Sequence, residues 1–472
     1  MKHSQSNTQP IILTDTQIFY EDDCACPSTE SVKAPVQSFT NRLYRQAENI
    51  YEDALPQNFR LAFSPYAPQG PSALNIPAWE RWQNFCQPQP LTQPTDHILA
   101  QQNLILPQDV PIQTPRPIPE TLTVWMHVTN ACNLDCPYCY VRKSSESMNE
   151  TIGLNSVEKI FSTALKQKFK GVKLKYAGGE AILYFRLIKR LSERAHELSK
   201  ESNLELQQVI LSNGTRIRGE EVAWMLENGV KLMISLDGIE QTHDRMRPYR
   251  NGKGSFQTVS QTIDKILLPA GLVPMITITV TRENAGGIAD ATRWALDRDL
   301  PVSLNFYRHK PGSREDLAAE ETALIEGMLA AYQVFEEILP TRPFLNGLLD
   351  RAQVGSHVHA CGVGSSYLVI NHRGALSQCQ MLLEDPISHI PTSDLLLQVQ
   401  NGPIQNLSVE QKEICNQCIY RYRCAGGCPL ETYRASGRWD APSPNCRIYQ
   451  TLFPYALRLE GLRLLKKHNC LQ

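Results

Sequence analysis

Thr129-Asn130-Ala131-Cys132-Asn133-Leu134-Asp135-Cys136-Pro137-Tyr138-Cys139-Tyr140 puts three cysteines into one short loop, spaced Cys-x3-Cys-x2-Cys. The loop follows the strand-like run Leu122 to Val128. Thiolate is the soft ligand that iron–sulfur clusters take, and three thiolates on one loop hold three corners of a cubane. The fourth iron then keeps an open position where a substrate or cosubstrate can bind. The C-terminal end of a strand is also where parallel-sheet folds place their chemistry. A zinc knuckle short of its fourth ligand is the competing reading of the same spacing.

Outward from this loop, β-branched runs alternate with amphipathic stretches. Strands are expected at 122–128, 172–176, 204–211, 231–235, 273–280 and 302–306. Helices are expected at 156–168, 183–199, 220–228, 256–268, 287–298 and 320–337. Six strand–helix units predict an α/β fold with a parallel sheet and right-handed crossovers. Eight would close a barrel. Six predict an open, partial (β/α)6 TIM-like barrel.

Further polar motifs fall at successive strand ends. Gly178-Gly179-Glu180-Ala181 follows the second strand, and Ser212-Asn213-Gly214-Thr215 the third. Ser235-Leu236-Asp237-Gly238 follows the fourth, with His243-Asp244-Arg245-Met246-Arg247 just beyond. Two glycines let backbone approach a ligand, and a carboxylate suits an ammonium group. Ser235 offers a hydroxyl and Arg247 a bidentate fork. A plain turn is the bland account of the glycines, and a structural hydrogen bond is the preferred account of His243. Asp237 reads equally as a turn residue or as a polar site residue.

Taken in this order, the motifs resemble the radical S-adenosylmethionine (SAM) superfamily. Cys132, Cys136, Tyr138 and Cys139 match its Cys-x3-Cys-x-aromatic-Cys signature. Residues 178–181 resemble its Gly-Gly-Glu-Pro motif, with Ala181 in place of proline. The resemblance implies that Cys132, Cys136 and Cys139 hold a SAM-binding 4Fe-4S cluster. It further implies that Tyr138, Gly178, Gly179, Glu180, Ser212, Asn213, Ser235, Asp237 and Arg247 surround the cofactor. Glu180 would take the amino group of SAM, and Ser235 and Arg247 its ribose and carboxylate.

A second set of cysteines begins at Cys361, followed by Gly374 and Cys379. Then come Cys415-x2-Cys418-x5-Cys424-x3-Cys428 and finally Cys446. These seven resemble the SPASM pattern, a C-terminal extension with auxiliary iron–sulfur clusters. The resemblance implies that Cys361, Cys379 and Cys428 hold one auxiliary cluster. Cys415, Cys418, Cys424 and Cys446 would hold the other, making three 4Fe-4S clusters in all. The first auxiliary set is one thiolate short, so its fourth iron is open, carries another ligand or meets substrate. His357, His359 and His372 lie nearby and read as surface histidines. A pair of structural zinc sites is the alternative, but seven ligands leave one such site incomplete. Cys24, Cys26, Cys86 and Cys470 read as incidental thiols.

Formal net charge is −1, with no basic footprint for nucleic acid. No apolar run is long enough to span a membrane, and residues 1–10 carry no apolar signal core. Cytoplasmic localisation is therefore expected. Dense, short-spaced cysteines in that compartment read first as metal ligands. Residues 106–119 hold five prolines and read as a linker. Three domains follow: an N-terminal extension at 1–120, a barrel at 121–340 and a small cysteine-rich SPASM domain at 341–472. The extension, with a strand at 59–63 and helices near Trp79 and at 96–104, shows weak likeness to a leader-peptide-binding module.

The resemblance implies an oxidoreductase that generates a 5′-deoxyadenosyl radical and modifies a ribosomally made precursor peptide, for instance by cross-linking. Its partners would be that peptide and an external electron donor such as a flavodoxin or ferredoxin, with no nucleic acid and no membrane. A sulfatase-maturating enzyme that oxidises Cys or Ser to formylglycine is an alternative, and a zinc-stabilised binding protein is another.

Overall fold

A computed structural model describes residues 9–15, 42–109, 118–310, 315–353, 355–388 and 394–471. Cys24, Cys26 and most of the proline-rich linker lie outside the described residues. The six expected strands form and pair in sequence order. They are β1 (Thr121–Thr129), β2 (Gly171–Gly178), β3 (Glu205–Ser212), β4 (Val230–Ser235), β5 (Met275–Val280) and β6 (Val302–Phe306). All five pairings are parallel.

Alternation along β1 explains the two faces of the sheet. Leu122, Val124, Met126 and Val128 are buried in the same core as Ile160 and Phe161 of the helix Glu150–Lys166. Trp125 points the other way, into a second core with Ala177, Tyr367 and Val369. Successive strand residues face opposite sides, so one strand feeds both layers. That inner face also holds buried polar groups, among them His127 and Lys175.

The cysteine-rich segment is more deeply integrated than its sequence suggests. Its strand β7 (Tyr367–Ile370) joins the barrel sheet parallel to β1, pairing Tyr367 with Thr123 and Ile370 with Met126. A two-residue strand, Leu376–Ser377, then pairs antiparallel with β7, completing eight strands among the described residues. The last helix, Cys446–Lys467, is long and buried on several sides. Sequence reading missed it because its apolar residues surround the helix instead of forming one stripe, and because Pro454 sits inside it. The helix expected at 256–268 is regular only over Phe256–Thr262 and widens into a π turn at Ile263–Leu267.

The N-terminal residues build a four-stranded antiparallel sheet. Its order is Ile12–Leu13, Ser72–Asn75, Phe59–Phe63, Tyr51–Leu55. Asn75 caps the helix Ile76–Gln83 by accepting from the Ala78 N–H at 3.1 Å. This sheet packs on the last helix, where Gly461 lies so close that a Cβ there would sit 2.6 Å from Leu61 Cδ1. Arg423 of the cysteine-rich segment donates to the carbonyls of Ala67 and Gln69. The Phe63 ring stacks on Tyr420 with centroids 6.4 Å apart.

Candidate active site

The Cys132–Cys139 loop leaves the C-terminal end of β1 and is stitched down on both sides. Asn130 N–H donates to the Glu146 carbonyl at 2.9 Å, and Met148 N–H to the Val128 carbonyl at 2.8 Å. His127 Nε2 meets Asn130 Oδ1 at 2.7 Å beneath the loop. On the other flank, Gly179 N–H donates to the Thr129 carbonyl and Glu180 N–H to the Ala131 carbonyl, at 2.7 and 2.8 Å. These contacts explain the glycine pair. A Cβ on Gly178 would lie 2.4 Å from Thr129 O, and one on Gly179 2.4 Å from Ala131 O. The close approach that needs glycine is therefore to the cysteine loop's own backbone.

Glu180 is buried and serves as a hub. Its carboxylate accepts from Ile182 N–H at 3.1 Å, Ser212 Oγ at 2.8 Å and Asn213 N–H at 2.7 Å. Burial pushes its carboxyl above the usual range, against the pull of these donors. Asn213 passes the connection on, with Nδ2 at 2.9 Å from Asn133 Oδ1 and 3.9 Å from Cys132 Sγ. Residues from three strand ends thus fix one cysteine loop.

A second hub lies under Cys136. Asp237, fully buried, accepts from the Tyr138 hydroxyl, from Arg247 Nε at 2.6 Å and from Thr279 N–H at 2.7 Å. The Arg247 guanidinium lies over the Tyr138 ring, 5.5 Å from its centroid. Asp237 is thereby tied to the signature loop rather than spent in a turn. Burial pushes the Cys136 thiol up to about 12, with Arg247 pulling against it. Lys143 pairs with Asp135 at 2.9 Å and also feels Cys136 and Cys139. Ser235 ends β4, half-buried, with no side-chain hydrogen bond among the described residues. His243 donates or accepts at Ser255 Oγ, 3.1 Å away, and Ser255 bonds the Arg247 carbonyl at 2.6 Å. It supports Arg247 from behind.

The seven later cysteines gather in two places. Cys415, Cys418, Cys424 and Cys446 line one cavity, walled by Tyr420 and Phe453. Cys361 and Cys428 are buried in the inner core, with Cys379 packed against it. Burial pushes Cys424 up to about 12 and Cys415 up to about 11. His357 and His372, expected at the surface, are instead buried by the packing of the cysteine-rich segment, and His357 bonds the Gly355 carbonyl at 3.0 Å. Among the described residues no three His, Cys, Asp or Glu side chains are gathered so as to hold a single metal ion. A cubane spreads its thiolates around four irons, and the donor set here, all sulfur beside apolar walls, suits that group. At the first loop, three thiols of one turn with cationic Lys143 and Arg247 beside them suit it equally.

Sequence reasoning missed Lys143 and Lys412 as neighbours of the cysteines and Thr279 as a donor to Asp237. Lys143 is four residues beyond Cys139 and was legible as a nearby charge. Thr279 acts through its backbone N–H, for which no residue type signals.

Residues 126–281 match the radical SAM superfamily. Among similar proteins is the mycofactocin maturase MftC of Mycobacterium ulcerans, 24% identical, spanning 68% of this chain and 86% of that one. A cysteine-type anaerobic sulfatase-maturating enzyme of Clostridium perfringens is 22% identical, spanning 70% of this chain and 94% of that one. Among solved structures, native anSMEcpe with bound AdoMet and Cp18Cys peptide superposes with a TM-score of 0.58 at 18% identity, covering 73% of this chain and 99% of that one. The likeness to that structure is one of fold. The match over residues 126–281 is to a superfamily that uses a 4Fe-4S cluster and SAM, and the similar proteins include maturases of both kinds. No helix among the described residues is long and apolar enough to cross a membrane.

Proposed function

We propose that this radical SAM protein is a peptide maturase that installs an oxidative modification, such as a cross-link, in a ribosomally made precursor. The observation that carries this is the pairing of two features in one body. A three-cysteine loop is held at the strand ends of the barrel, and a four-cysteine cavity lies in the segment that extends the same sheet. In this reading Cys132, Cys136 and Cys139 hold the SAM-binding cluster. Cys361, Cys379 and Cys428 hold one auxiliary cluster, and Cys415, Cys418, Cys424 and Cys446 the other. With these groups and SAM bound, the site supplies a 5′-deoxyadenosyl radical that takes hydrogen from a substrate carbon, and a route for the surplus electron.

The chain's own residues orient and enclose. Only Nε of Arg247 is taken by Asp237, so its terminal nitrogens remain to meet a carboxylate. Ser235 keeps its hydroxyl for a ribose. Glu180 fixes Ser212 and Asn213 beside Cys132. Trp125, Val369 and Tyr367 supply an apolar inner wall that keeps water away. The N-terminal sheet presents Tyr51–Leu55 as an edge strand, with the Ala54 carbonyl taken by Arg458 and its N–H by Asp53, and in this reading the rest of that edge docks the unmodified part of the peptide by strand addition. A flavodoxin or ferredoxin would supply the reducing electron.

Anaerobic incubation with SAM, reductant and the peptide encoded beside this gene is expected to change the peptide's mass. An unchanged mass, with SAM turnover confirmed, overturns the assignment of substrate. Oxidation of a sulfatase peptide instead would favour the second reading, which the 94% coverage of the sulfatase-maturating enzyme supports. Colourless protein with stoichiometric zinc would overturn both.

A further inference from the structure

Between the two later cysteine groups runs Cys424-Ala425-Gly426-Gly427-Cys428. Ala425, Gly426 and Gly427 all have left-handed backbone, with φ of 45°, 78° and 73°. Three such residues in a row curl the chain tightly, and Gly427 N–H closes the curl onto the Cys424 carbonyl at 2.8 Å. The two ends of this turn face different groups. Cys424 lines the four-cysteine cavity, and Cys428 is buried with Cys361.

Lys412 fills the hollow of that turn. It is fully buried, and its Nζ donates to the Ala425 carbonyl at 3.0 Å. Its side chain lies so close to Gly426 that a Cβ there would stand 2.6 Å from Lys412 Cδ and 2.9 Å from Nζ. An ammonium has three donors, and this one hydrogen bond uses one of them. Burial lowers the Lys412 ammonium from its ordinary range, and Cys415 and Cys424 from one group and Cys361 and Cys428 from the other pull against that. His359 lies within reach too, and burial first and Lys412 second lower it from the ordinary imidazole range. A buried ammonium is costly unless negative charge surrounds it. Thiolate-bound clusters would provide that charge on both sides of the turn.

We infer that Lys412 is a cation shared by the two auxiliary clusters, a positioning residue set between them that raises the reduction potential of each. This rests on the cluster assignment proposed above. Net charge and hydrogen bonds to sulfur are the protein's means of setting such potentials. One fixed charge seated in the hollow of the turn that joins the two cysteine groups acts on both at once. It favours the reduced form of each cluster and so favours passage of an electron from the substrate radical into the pair.

The test uses the full chain with Cys132, Cys136 and Cys139 all changed to alanine, so that only auxiliary signals remain. Reconstituted protein should hold about eight irons, as two cubanes require. Absence of iron at this stage would overturn the cluster assignment itself, before Lys412 is touched. Potentiometric titration followed by electron paramagnetic resonance then compares Lys412→Met and Lys412→Gln with the lysine parent. Both clusters should become at least tenfold harder to reduce, a shift of about 59 mV for a one-electron couple. Full iron with neither potential moved, or with only one moved, overturns the inference. Should both neutral variants lose iron, Lys412→Arg decides. Full loading and near-parental potentials in the arginine variant support a required cation, and loss of iron there too overturns it.

Discussion

The first cysteine loop and the later cysteine groups solve one problem in opposite ways. Cys132, Cys136 and Cys139 lie on a single turn, and the protein around them is ionic. Glu180, Asp237, Arg247 and Lys143 are all hydrogen-bonded into the loop or its flanks. The later thiols come from positions as far apart as Cys361 and Cys446, and their surroundings are mostly aromatic and apolar, with the buried cations Arg421, lining the four-cysteine cavity, and Lys412, in the turn between the groups. A loop that must accept a charged cosubstrate needs oriented polar groups held ready. A site that only stores or passes electrons needs burial and a tuned charge. Under the proposed function, damage to the first region should stop chemistry, and damage to the second should stop assembly and electron exit.

Replacing Cys136 with alanine should have the largest effect. Release of 5′-deoxyadenosine is expected to disappear, and iron content to fall by about four atoms per chain, while circular dichroism stays unchanged. Replacing Cys424 with alanine should also remove about four irons, but from a place that anchors the last helix and the turn around Lys412. Peptide product is expected to vanish and the melting temperature to fall, with deoxyadenosine release cut less than in Cys136→Ala. Equal loss of deoxyadenosine in both variants would erase the functional distinction between the regions. Asp237→Ala comes next. It strands the buried Arg247 and Tyr138 groups, and breaking such a pair costs about 3–5 kcal/mol. Urea denaturation of metal-free protein measures it, and a cost under about 1 kcal/mol, the range of an exposed pair, would show that this hub is not a structural tie.

The same contrast sets what could be read from sequence. Three cysteines within one loop are legible because the loop is local, and the six alternating strands and helices show where it must sit. Glu180 is legible as a motif residue, yet its bonds to Ser212 and Asn213 are not, because they cross 32 and 33 positions. Tyr138 and Asp237 stand 99 residues apart. The glycine pair is legible as close approach, but sequence could not say that the neighbour is the backbone of Thr129 and Ala131. β7 escaped notice because a four-residue apolar run between turns carries no period, and only pairing with β1 makes it a strand. The N-terminal strand at 59–63 was legible, whereas its contact with the last helix depends on the whole chain.

The smallest predicted effect separates the regions by acid. His243 supports Arg247 beside the first loop, and His357 is buried in the cysteine-rich segment. Burial lowers both to about 4 from an ordinary 6.5. A histidine with a lowered value in the folded state is neutral there and takes up a proton on unfolding. Its contribution is therefore intact above pH 6.5 and lost as pH falls from 6.5 through 4. Metal-free protein should lose melting temperature progressively over that window. His243→Asn and His357→Asn should each flatten the slope, and the double variant should flatten it by the sum, since the two share no hydrogen-bond partner and sites without shared partners add. If only His357→Asn flattens the curve, the barrel end must open before the titration is felt. The first loop would then be the less cooperative of the two regions, against what its dense hydrogen bonding predicts.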